Sequence, residues 1–198
     1  MKVLDWLADM FGLPKHFKFS ESAYGGGVIH GAASEATLVA LLAARTKILT
    51  QLRKSSEQDS NNNLSDEFTS RTSGIERLVG YSSDLAHSSV ERAGLLGATQ
   101  IKPIQSDDDG SLRGDALRKQ ILKDKEMGLV PFFVVATLGT TSVCTFDNLY
   151  ELGIVCREFD IWLHVDAAYA GNSFICPEFR HYLRGIEVSW TSESTWLN

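Results

Sequence analysis

The chain has 198 residues, enough for one domain or a large piece of one. Its apolar share of 43% and charged share of 22% are those of an ordinary globular protein, and a net charge of −6 gives no basic footprint for nucleic acid. No apolar run approaches the roughly 20 residues of a membrane span and the first residues do not read as a signal peptide, so the expectation is a cytoplasmic protein. The chain opens inside a helix, with Leu4, Leu7, Ala8 and Phe11 on one face and Gly12 and Pro14 ending it, as if cut from something longer. Residues 24–31 form a glycine-rich turn. Ser34 then opens a helix over 35–52, carried by Leu38, Leu41, Leu42, Ile48 and Leu49. Residues 55–74 (SSEQDSNNNLSDEFTSRTSG) are too polar to bury a core and read as an exposed loop.

Beyond that loop, strands and helices alternate. Residues 78–82 read as a short strand, and the capping-box spacing of Ser88 and Glu91 starts a helix toward Leu96. Residues 101–104 are a second strand, and 115–127 an amphipathic helix stopped by Gly128. Residues 132–138 (FFVVATL) form a continuous apolar run, as suits a parallel strand covered on both faces. Residues 147–158 are helical, and 161–165 the next buried strand. This order predicts an open α/β sheet with its ligand beyond the strands' carboxyl ends. Cys144, Cys156 and Cys176 are odd in number and lack zinc-type pairing, so they read as reduced thiols in or near the core.

The most informative stretch is residues 162–171 (WLHVDAAYAG). His164 and Asp166 stand two apart, on one face of a strand, and small residues follow at once. A buried carboxylate is costly without a fixed positive partner. At a strand's end, beside open space, it suits a protonated heteroaromatic nitrogen such as a pyridinium. Residues 139–141 (GTT) and 166–168 (DAA) end successive strands and should face one crevice.

Other residues bring chemistry with a plainer reading beside it. The small residues before the long helix suit an anion at its N-terminus, with Ser34 adding a hydroxyl, yet Ser34 also serves as an ordinary N-cap. His87 can stack on an aromatic cofactor or act as acid or base, or simply bond the backbone at a helix start. Thr141 can bond a cofactor or substrate oxygen, or be a turn residue. His164 and Asp166 lack third and fourth metal ligands nearby. His30 breaks the nicotinamide glycine pattern, and the P-loop lysine and the G-x-S-x-G elbow are absent.

Residues 25–40 (GGGVIHGAASEATLVA), 83–94 (SDLAHSSVERAG), 136–141 (ATLGTT) and 164–171 (HVDAAYAG) strongly resemble the group II pyridoxal-phosphate decarboxylases. The likeness is to the branch acting on aromatic L-amino acids, which includes histidine and tyrosine decarboxylases. It runs from about residue 3 to 187, leaving 55–74 idiosyncratic. The resemblance implies a fold-type I large domain, a mostly parallel sheet with helices on both faces, incomplete over 1–187. It implies that Asp166 pairs with the pyridinium nitrogen of pyridoxal 5'-phosphate and Ala168 lies against the ring. His87 would stack on the other face near the scissile bond, Ala33 and Ser34 contact the phosphate, and Thr141 lies near the cofactor. The family reaction removes CO₂ from an aromatic amino acid, with the ring as electron sink.

Two departures bear on activity. The family lysine that binds the cofactor covalently lies beyond the aspartate, whereas the last lysine here is Lys125. Residues 188–198 (VSWTSESTWLN) do not follow the family and read as a foreign tail, and family residues before the start and the small domain after it are missing. The expectation is a truncated form, a poor catalyst alone, pairing as a homodimer or with a full-length subunit. A non-catalytic modulator of a full-length enzyme and an aromatic acetaldehyde synthase stand as alternatives; His87 speaks against the synthase, which often has asparagine there.

Overall fold

The computed structural model describes residues 2–23, 25–59 and 74–187. Helix α1 (Lys2–Phe11) and α2 (Ala33–Asp59) precede the sheet. Then follow β1 (Leu78–Ser83), α3 (Ser88–Leu96), β2 (Gln100–Ile104), α4 (Gly114–Glu126), β3 (Val130–Thr137), α5 (Leu149–Glu158) and β4 (Trp162–Asp166). Two 3-10 turns, Gly171–Ile175 and Pro177–Leu183, follow β4. The four strands are all parallel, in the order β2-β1-β3-β4. The predicted strands are therefore all present, each within two residues of its expected ends.

Helices cover both faces, as parallel strands require. On one face Ala40, Leu41, Ala44 and Leu49 of α2 and Val90 and Ala93 of α3 pack on Phe133, Val135 and Trp162. On the other, Leu117 and Ile121 of α4, Leu152 and Val155 of α5, and Ala8 and Phe11 of α1 pack on Val134, Ala136, Leu163 and Val165. Successive strand residues serve opposite faces, which is the period-two rule. The chain leaves β1 outward to β2 and returns past β1 to β3. The sheet's switch point therefore lies between β1 and β3, where a ligand crevice is expected.

One buried polar network fastens α4 to the sheet. Asp124 is wholly buried and accepts from Tyr81 Oη at 3.0 Å, Lys102 Nζ at 2.6 Å and Gln120 Nε2 at 3.0 Å. Burial pushes the Asp124 carboxyl upward, but these donors outweigh it and hold it below the ordinary carboxylate range.

Four expectations need correction. Helix α2 runs on to Asp59, so residues 55–59 are helical; residues 60–73 of the expected loop lie outside the described residues. No Gly or Pro interrupts residues 33–59, and the hydroxyls of Thr46, Thr50 and Ser55 bond carbonyls four residues back. The N-cap of α3 is His87 rather than Ser88. Asp147 precedes α5, whose N-cap is Asn148, its side chain accepting from Glu151 N–H at 3.1 Å. Of the cysteines only Cys156 is buried, and burial pushes its thiol up; Cys144 and Cys176 are exposed.

Candidate active site

Three strands end at the same corner of the sheet, on the face that α2 and α3 cover. Thr137 of β3 and Asp166 of β4 are register partners. Leu138 N–H donates to the Asp166 carbonyl at 2.8 Å, which locks the two strand ends together. From β1 the chain passes through residues 84–86 to His87 and α3. The first turns of α2 and α3 lie at the same corner, where Ala33 of one and His87 and Ser89 of the other meet.

The resulting crevice holds about 250 Å³ and is lined by Ala33, His87, Ser89, Thr137, Gly139, Thr141, Asp166, Ala168 and Tyr169. Five of the six residues singled out from the sequence meet here. The sixth, Ser34, is exposed on the first turn of α2 and does not line the crevice. Consecutive helical residues point about 100° apart, so Ala33 forms the wall while Ser34 stands beside it on the exposed side of the same helix N-terminus. The floor is buried: Asp166, Thr137 and Ser89 are 9%, 4% and 3% exposed. The rim, formed by His87, Thr141, Ala168 and Tyr169, is open.

Asp166 Oδ1 accepts the Ala168 N–H at 3.0 Å, which fixes the carboxylate and turns the chain sharply at the strand end. Gly139 has φ +88°, and a Cβ there would come within 2.8 Å of the Ala170 Cβ. Only glycine lets the two strand-end loops close on each other. His87 bonds the start of α3: its Nδ1 accepts from Ser89 N–H at 3.2 Å. The backbone-bonding and crevice-lining readings of His87 therefore hold together. His164 lies deeper on the same strand face, buried and stacked on Phe133 with ring centroids 5.9 Å apart. No group of three potential metal-ligating side chains occurs among the described residues.

Two contributors were not foreseen. Thr137 Oγ1 is buried at the crevice floor with no hydrogen-bond partner. An unpaired buried hydroxyl is costly, and such groups mark places where a ligand completes the bonding. Asp147 is buried behind it, accepting from Thr137 N–H at 2.7 Å and Leu112 N–H at 2.9 Å. Burial pushes its carboxyl up to about 6, aided by Asp84 and Asp107 and opposed by those two N–H donors. The sequence signal at Asp147 was ambiguous, because an acid before a helical run reads as its first turn.

An aromatic ring carrying a phosphate fits this donor set. The crevice offers a fixed buried carboxylate, an imidazole on the rim, an unsatisfied hydroxyl on the floor and a helix N-terminus whose wall residue is alanine.

Comparison with known proteins agrees with this geometry. The model of the pyridoxal-dependent decarboxylase conserved domain matches residues 1–194. The chain is 56% identical over 187 residues to the aromatic-L-amino-acid decarboxylase of Sus scrofa, covering 94% of this chain and 36% of that enzyme. It is 53% identical to the histidine decarboxylase of Homo sapiens, covering 96% of this chain and 27% of that one. The crystal structure of Catharanthus roseus tryptophan decarboxylase with L-tryptophan matches with a TM-score of 0.82 at 40% identity, over 94% of this chain and 37% of its own. The chain thus spans between about a quarter and little more than a third of such relatives, and its α/β fold is part of the large domain of fold-type I decarboxylases. With the family's model covering nearly its whole length, the chain belongs to the pyridoxal-dependent decarboxylase family.

Proposed function

We propose that the crevice holds pyridoxal 5'-phosphate. In a protein of its relatives' length it would serve decarboxylation of an aromatic L-amino acid (dopa, 5-hydroxytryptophan, tyrosine or histidine) to the amine and CO₂. The observation that carries this reading is the convergence of Asp166, His87 and the unpartnered Thr137 hydroxyl on one crevice beside the α2 N-terminus. When bound, the cofactor's pyridinium ring supplies the electron sink for the pair left by departing CO₂. Asp166 would hold the proton on the ring nitrogen, because a buried carboxylate beside it makes the charged ring the stable form. Ala168 would leave room for the flat ring, and His87 would close its other face near the scissile bond. Ala33, with the first N–H groups of α2, and Ser34 would hold the phosphate; Thr141 would bond from the rim.

No lysine follows Lys125 in these 198 residues. We propose that the chain pairs as a homodimer or with a full-length subunit. Exposed Val28, Ile29, Leu95 and Leu96 leave apolar surface that such a subunit would cover. Equilibrium dialysis with pyridoxal 5'-phosphate tests the reading. The expected result is saturable retention that Asp166→Ala weakens at least about tenfold, a loss of roughly 1.4 kcal/mol. Absence of saturable retention, or retention indifferent to Asp166→Ala, overturns it.

A further inference from the structure

His87 presents two ring nitrogens, and the structure engages only one of them in α3. Nδ1 accepts the Ser89 N–H at 3.2 Å and lies 2.9 Å from Ser89 Oγ. An N–H pointing at Nδ1 requires a lone pair there, since a proton on Nδ1 would face another proton. The neutral ring must then carry its proton on Nε2, the nitrogen left for the space that His87 lines. Ser89 is 3% exposed and lines the crevice itself, so its hydroxyl is held in place rather than solvated.

We propose that Ser89 is a positioning residue. Through its N–H and its hydroxyl it fixes His87 in the Nε2–H tautomer, so that the imidazole offers a hydrogen-bond donor to the crevice. The inference rests on the proposed function only in what that donor meets. There, Nε2–H would donate to a carboxylate oxygen of the amino-acid substrate. The charged groups around the ring favour a donor at that nitrogen. Asp166 lines the crevice on one side, and Asp84 and Glu91 line the cleft on the other. The N-terminus of α3 behind Nδ1 disfavours a positive charge there. A serine two residues past a histidine would ordinarily be read as a plain helix-start residue. The short Nδ1 to Oγ distance distinguishes it.

The test is nitrogen NMR on the 198-residue chain labelled in its histidine rings, without cofactor, above the titration of histidine. His87 is assigned by its loss in His87→Asn. The expected spectrum shows Nδ1 as an unprotonated ring nitrogen and Nε2 as a protonated one, with a single tautomer. In Ser89→Ala the tautomer ratio should fall about fivefold, the worth of one hydrogen bond, and Ser89→Thr should restore it. A tautomer-averaged or Nδ1–H ring in the unsubstituted chain overturns the inference. So does a ratio in Ser89→Ala identical to that of the unsubstituted chain. Because no cofactor is present, a locked tautomer stands even where pyridoxal phosphate fails to bind, and that failure counts against the proposed function alone.

Discussion

Thr137 and Asp166 face each other across the last rung of the β3–β4 ladder. One brings a buried hydroxyl without a partner and the other a buried carboxylate with one oxygen already bonded. The sheet thus sets two polar groups side by side where its core ends, and the pairing of strands, not a loop, fixes their spacing. Thr137→Val keeps the branched shape and removes the hydroxyl. Because Oγ1 is unsatisfied, the change should leave stability unaltered or raise it by about 1 kcal/mol. Retention of pyridoxal phosphate should fall several-fold. Urea denaturation and dialysis measure the two; a stability loss above about 1 kcal/mol with unchanged retention would make Thr137 a packing residue only.

Asp147 braces this corner from behind. Asp147→Ala leaves the N–H groups of Thr137 and Leu112 buried and unpaired, a loss of about 3 kcal/mol. The group also carries a pH signature. Its pKa is raised from 3.8 to about 6, so the folded state holds the proton more tightly than the unfolded state. Its contribution is full below about pH 3.8 and is lost as pH rises through about 6. The stability difference between the unsubstituted chain and Asp147→Ala should therefore shrink from pH 4 to about 6.5. Denaturation midpoints across that range check this, and a difference that grows with pH would contradict the assignment.

Lys125, the last lysine, lies on α4 with its Nζ 5.1 Å from the Phe159 ring, on the face of the sheet opposite the crevice. No lysine lines the crevice. Borohydride reduction of the chain with pyridoxal phosphate, followed by peptide mapping, should yield only scattered, substoichiometric labels. One stoichiometric label on a single lysine would show that this chain carries a covalent site of its own.

Sequence alone revealed the sheet well, because residues 132–138 and 161–165 are apolar without a break and only strands covered on both faces need that. It also placed Thr141, Asp166 and Ala168 at one crevice, since residues ending successive parallel strands share an edge, whereas His87 joined them only through the family resemblance. What it missed depends on rotation and on partners. Ser34 looked as suited to the crevice wall as Ala33, yet it stands exposed on the first turn of α2, outside the lining. Ser88 looked the better cap for α3, yet the imidazole of His87 reaches the Ser89 N–H. The polar end of α2 looked like loop because its composition cannot pack, whereas the Ser55 hydroxyl bonds the Gln51 carbonyl within the helix. The burial of Asp147 follows from two N–H groups 10 and 35 residues away, which no local pattern encodes.

The central claim is that Asp166 holds a pyridinium. Nitrogen NMR of ring-labelled pyridoxal phosphate bound to the chain, at a pH where the free ring nitrogen has lost its proton, tests it most directly. The account predicts a protonated ring nitrogen with the unsubstituted chain and an unprotonated one with Asp166→Ala. An unprotonated nitrogen in the bound, unsubstituted chain, or the same protonated signal in both, would contradict it.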